Sequence, residues 1–135
     1  MKYRELKGYK YELDMVEIFR TEIMGLKISE RYFVLIPEGK LAVRGYYMWD
    51  GPSGPTFDTK NFMRGSLVHD CLYQMMREGL LPRSYRKYAD ELLRQICLED
   101  GMSKFRAWYV YRAVRMFCKK SSLPRKNPRG KIIEI

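Results

Sequence analysis

The hydrophobic pattern of this chain changes period near residue 60. Before it, apolar residues come in short runs rich in β-branched and aromatic side chains. Tyr9 to Arg20 is one such run, and Tyr32-Phe33-Val34-Leu35-Ile36 is a second, more compact one. Pro37-Glu38-Gly39-Lys40 has the chemistry of a turn, and Leu41 to Trp49 resumes the apolar, aromatic character, so a hairpin centred on Gly39 is expected. Residues 21–30 fit neither period clearly. Asp50-Gly51-Pro52-Ser53-Gly54-Pro55 then interrupts both periods, because its prolines and glycines suit a loop.

From about Asn61 the period becomes helical. Leu67, Val68, Cys71, Leu72, Met75 and Met76 recur at three- and four-residue spacing, and Gly79 ends the run as a C-cap would. Pro82 and Ser84 open a second helix with Tyr85, Tyr88, Ala89, Leu92 and Ile96 on one stripe, and Gly101 closes it. Ser103 can cap a third helix running to Phe117, in which Phe105, Trp108, Tyr109, Arg112 and Met116 share one side. Their spacing is that of core residues, which favours burial of the aromatics. The expected fold class is α+β, with a small N-terminal β element followed by three helices. Residues 1–118 form one domain: the β element over 1–49, a loop over 50–60, and helices over 61–118. Residues 119–135 read as an extended basic tail.

Composition narrows the function classes. At 46% hydrophobic and 31% charged, the 135 residues describe a globular chain. Lys and Arg outnumber Asp and Glu by 26 to 16, giving +10, which favours an anionic partner. No apolar run is long enough to span a membrane, and the start lacks the core of a signal peptide. A cytoplasm is the expected location, unless the chain leaves inside a larger assembly or by lysis. Three widely separated cysteines, Cys71, Cys97 and Cys118, argue against a disulfide framework, and a single histidine excludes a multi-histidine metal site.

The candidate chemistry centres on that histidine. His69 and Tyr73 lie one turn apart on the first helix, and Asp70 follows about 100° around it. The short Gly79–Ser84 connection makes the second helix an antiparallel neighbour. His69 lies ten residues before Gly79 and Asp90 eight after Pro82, so Asp90 comes level with the imidazole. A neutral histidine can take a proton from water while a buried carboxylate fixes its tautomer. Asp70 could hold a hard cation, with carbonyls of the loop from Gly51 to Gly54 completing the oxygen cage that Ca²⁺ requires. Such a cation would polarise an ester carbonyl.

His69-Asp70-Cys71-Leu72-Tyr73 resembles the His-Asp-Cys-x-Tyr helix of the phospholipase A2 enzymes. The 21-residue step to Asp90 is similar to the spacing in their prokaryotic and parvoviral branches. Trp49-Asp50-Gly51-Pro52-Ser53-Gly54 stands where that family keeps its calcium loop, here with two prolines nearby. A closer likeness is to an uncharacterised, phage-associated family with a Gly-aromatic-x-x-Asp-Gly-x-Ser segment and a Val-His-Asp-x-Leu-Tyr helix. This chain has Gly45 to Ser53 and Val68 to Tyr73 in that order, then Tyr-Arg-Ala-Val-Arg-Met-Phe at 111–117. The resemblance implies His69 as the base, Asp90 as its partner and Tyr73 as a donor to Asp90. It also implies a calcium site from Asp70, Asp50, Gly51 and Gly54. With the phage likeness, the expected location becomes a host cytoplasm or carriage in a virion.

Three functions are compatible with these features. The first is a calcium-dependent phospholipid or ester hydrolase on anionic membranes. The second is a non-catalytic phage protein that docks on a phage or host protein through the basic tail. The third is nucleic-acid binding, a weaker fit, because the interleaved Tyr and Arg residues sit at core spacing and no nucleic-acid motif is present.

Overall fold

The computed structural model describes residues 1–6, 11–49 and 59–124. They form two small antiparallel sheets followed by three helices, the α+β class expected. The strands are β1 (Tyr3–Glu5), β2 (Tyr11–Leu13), β3 (Glu17–Arg20), β4 (Ile28–Ser29), β5 (Phe33–Leu35), β6 (Lys40–Val43) and β7 (Met48–Trp49). One sheet has the order β1-β2-β7 and the other β3-β6-β5-β4. The helices are α1 (Lys60–Arg77), α2 (Arg86–Glu99) and α3 (Lys104–Phe117).

The β5–β6 hairpin turns at Gly39, and within the ambiguous stretch 21–30 only Ile28–Ser29 form a strand, the edge strand β4. Register explains the core. Phe33 pairs with Val43 and Leu35 with Leu41, while Phe19 pairs with Leu41 from the other side. All five side chains are buried, since alternation sends every second residue of each strand to the same face. Two runs that read as continuous in sequence are each divided between the sheets. Residues 11–20 split into β2 and β3, and residues 41–49 into β6 and β7. The second split falls at Gly45-Tyr46, where Tyr46 has φ 70 and its N–H donates to the Leu13 carbonyl at 2.7 Å.

That turn sets β7 against α1. Trp49 Nε1 donates to Ser66 Oγ at 3.1 Å, and the Tyr47 hydroxyl donates to Gln74 Oε1 at 2.9 Å. Tyr3 meets Tyr11 and Trp49 edge to face across the small sheet, and Tyr11 and Trp49 lie tilted to each other, with centroids 5.5 to 6.1 Å apart. Arg64 of α1 bonds Glu17 of β3 at 3.2 Å and Asp100 beyond α2 at 2.7 Å, tying the sheets to both helices.

Both helix ends foreseen at glycine are closed by the same device. Gly79 and Gly101 have φ +74 and +95, and each starts a pair of reversed hydrogen bonds. Leu80 N–H reaches the Met75 carbonyl and Met102 N–H the Cys97 carbonyl, both at 2.9 Å. The second helix opens with a 3-10 turn at Arg83–Tyr85, and Ser103 Oγ caps α3 by accepting from Arg106 N–H at 3.2 Å.

Two expectations are corrected. The side of α3 that carries Phe105, Trp108, Tyr109, Arg112 and Met116 faces solvent, and the helix packs instead through Ala107, Val110 and Val114. The smaller side chains take the core because α3 lies close against α2. The chain is also not extended directly after α3. Lys119–Ser122 form a 3-10 turn against α1, with Ser122 buried and accepting from Arg83 at 3.3 Å. Residues 125–135 of the basic tail lie outside the described residues.

The α1–α2 contact depends on a missing side chain. A Cβ on Gly65 would stand 2.8 Å from Leu93 Cδ1 and 2.9 Å from Cys97 Sγ. Gly65→Ala is therefore expected to destabilise the fold by about 1–3 kcal/mol despite alanine's better helix propensity. Thermal denaturation checks this; an unchanged or higher Tm would contradict the packing described.

Candidate active site

Helix α1 presents His69 and Tyr73 one turn apart, with ring centroids 4.3 Å apart. Both face α2, because the reversal at Gly79 returns the chain antiparallel to α1. Asp90 arrives level with them. His69 Nε2 lies 2.7 Å from Asp90 Oδ1, and the Tyr73 hydroxyl donates to the same oxygen at 2.7 Å. The register expected from the turn is the one observed.

Two arginines that the sequence reading did not single out complete the arrangement. Arg115, from α3, donates to Asp90 Oδ2 at 2.9 Å. Arg86 donates to the Tyr73 hydroxyl at 3.1 Å and to the Val114 and Arg115 carbonyls at 3.2 and 2.8 Å. The signal for Arg115 was faint: a helix with Arg106, Arg112 and Arg115 and no carboxylate of its own. Only the packing of three helices shows which arginine turns inward.

Asp90 is 0% exposed and His69 6%, so desolvation acts on both. For Asp90, burial raises the pKa, but His69, Tyr73 and Arg115 outweigh it and hold the carboxyl below its ordinary value. For His69, burial lowers the pKa, but the Asp70 and Asp90 carboxylates outweigh it and the value lies above the ordinary imidazole. Tyr73 is held protonated by burial and by the Asp90 carboxylate it serves. An ionised Asp90 can only accept, so Nε2 carries the proton in neutral His69. Nδ1 is then the basic nitrogen.

Nδ1 looks toward Asp70, whose Oδ1 is 3.9 Å away, longer than a hydrogen bond. The Asp70 side chain is 32% exposed. The imidazole therefore sits between a sealed carboxylate on Nε2 and a solvent-facing carboxylate on the Nδ1 side. A proton taken up at Nδ1 gives an imidazolium that both aspartates stabilise. The remaining expected site residues, Asp50, Gly51 and Gly54, lie outside the described residues. Among the described residues, no three His, Cys, Asp or Glu side chains cluster as a metal site would require. Asp70 carries the carboxylate chemistry that a hard cation takes as an oxygen ligand.

The cysteines take no part in this site. Cys71 and Cys97 are buried thiols, the latter with its pKa pushed up to about 12 by burial, and Cys118 is partly exposed. No helix among the described residues is long and apolar enough to cross a membrane.

A family model described as "Protein of unknown function (DUF1353)" matches residues 41–114, more than half of the chain. The matched span includes His69, Tyr73 and Asp90. No curated protein matches the chain, and no solved structure does.

The shifts predict a window of stability. The stabilisation from Asp90 is present above the ordinary carboxyl value of 3.8 and fades as pH falls through its lower folded value. That from His69 is complete below 6.5 and fades as pH rises through its higher folded value. Urea unfolding across pH should therefore show the greatest contribution of the pair between those values. Asp90→Asn should cost about 1–3 kcal/mol and return the His69 titration, followed by NMR, toward or below 6.5. An unshifted titration in that variant would refute the pairing.

Proposed function

The chain belongs to this family of unknown function, DUF1353, and from that premise we propose that its His69–Asp90 pair activates water for ester hydrolysis in the manner of a phospholipase A2. The observation that carries this reading is the 2.7 Å contact between Nε2 and a fully buried, ionised carboxylate, which leaves Nδ1 as the base. Tyr73 and Arg115 hold Asp90 in place from both of its oxygens. In the reaction, Nδ1 removes a proton from a water that attacks the ester carbonyl carbon. The imidazolium so formed is stabilised by Asp90 and then returns the proton to the departing alkoxide.

A calcium ion held by Asp70, with oxygens from Asp50, Gly51 and Gly54, belongs to the same proposal and would supply electrophilic stabilisation of the carbonyl oxygen. An anionic phospholipid as substrate and a phage as source rest on the motif likeness at Gly45–Ser53 and Val68–Tyr73. The half-buried Asp70 carboxylate supports the cation by its donor chemistry.

Release of fatty acid from phosphatidylglycerol vesicles, with and without calcium, tests the reading. Activity is expected to rise with pH through an apparent pKa above 6.5, because the neutral imidazole is the working form. His69→Gln should lower it by about 10²–10⁴-fold. A folded protein inactive on phospholipid and simple esters in calcium would refute the proposal.

A further inference from the structure

The outward face of α3 exposes a row of large apolar side chains. Phe105, Trp108, Tyr109 and Met116 lie within about 100° of arc on the side opposite Ala107, Val110 and Val114. Phe105 is 76% exposed, and Phe117, at the end of the helix, 77%. Scattered apolar residues on a surface need no explanation, but an aromatic stripe along a whole helix does.

The charge of the molecule is concentrated on the same segment. Residues 101–133 contain ten Lys and Arg and no Asp or Glu. The rest of the chain holds 16 basic and 16 acidic residues, so this segment accounts for the entire net charge of +10. Within the described part, exposed Lys104, Arg112, Lys119 and Lys120 flank or interrupt the stripe. The stripe also contains Phe and Met side chains, which offer no hydrogen bond to a partner.

We infer that the outer face of α3 is a docking surface for an anionic lipid bilayer, with the helix lying in the plane of the headgroups. Phe105, Trp108, Tyr109 and Met116 would enter the acyl boundary, and the surrounding lysines and Arg112 would meet lipid phosphates. An exposed helix face bearing Trp and Tyr beside basic residues matches the amphipathic layering of a membrane interface. This goes beyond the hydrolytic reading and stands without it. It differs from docking by the tail, since the surface lies within the folded helix. Arg115 joins the inner flank of the same helix to Asp90, so the docking face and the His69 site share one element.

The test uses the full chain and sedimentation with diether lipid vesicles, which contain no ester to cleave, so hydrolysis has no influence on the result. Binding is expected to vesicles containing diether phosphatidylglycerol and to be far weaker with diether phosphatidylcholine alone. Trp108 emission should shift to the blue on binding, and Trp108→Phe should lose the shift while still sedimenting. Phe105→Ser/Met116→Ser, at two exposed positions of the stripe, should weaken binding roughly tenfold or more with an unchanged circular dichroism spectrum. Tyr46→Ser, an exposed aromatic elsewhere, should bind as the parent. Three results would overturn the inference: no binding to anionic vesicles, binding indifferent to the double substitution, or loss of a self-associated or nucleic-acid-bound form on that substitution without any lipid effect.

Discussion

The buried carboxylate of Asp90 is the constraint on which the helical half of this protein depends. A charge with no exposure to water is tolerated only when its lone pairs are taken up by donors. Here the donors come from two further elements: His69 and Tyr73 from α1, and Arg115 from α3. Arg86 extends the network by bonding Tyr73 and the last carbonyls of α3. One side chain thereby fixes the relative positions of three helices. The same bonds that relieve its desolvation also orient the imidazole and raise its basicity. Stability and candidate chemistry are here one arrangement rather than two.

The sheets contribute by placing β7 along α1. A tight turn at Gly45-Tyr46 takes the chain from one sheet to the other, and Tyr47 and Trp49 then bond Gln74 and Ser66. The aromatic cluster of Tyr3, Tyr11 and Trp49 holds that strand from the other side.

Helix α3 carries two roles on two faces. Its inner face is made of small residues, Ala107, Val110 and Val114, which permit close approach to its neighbours. Its outer face carries the large apolar side chains, with exposed Lys104 and Arg112 on the same helix and Lys119 and Lys120 just beyond it. This inversion of the usual distribution of size is the clearest departure from a self-contained domain.

The sequence alone determined the helices, their glycine ends, the β5–β6 hairpin and the approach of His69 to Asp90. These follow from local rules: turn-forming glycines fix where helices stop, and a short connection with known rise per residue fixes which positions come level. Tertiary structure alone decided the rest. Which stripe of α3 faces inward depends on how closely three helices can pack, and periodicity carries no sign for that. The division of the two β runs depends on pairing between distant strands, which no local window contains. Arg115 joined Asp90 for the same reason, because a buried charge selects its partner by spatial proximity, and proximity across 25 residues is set by the packing of helices.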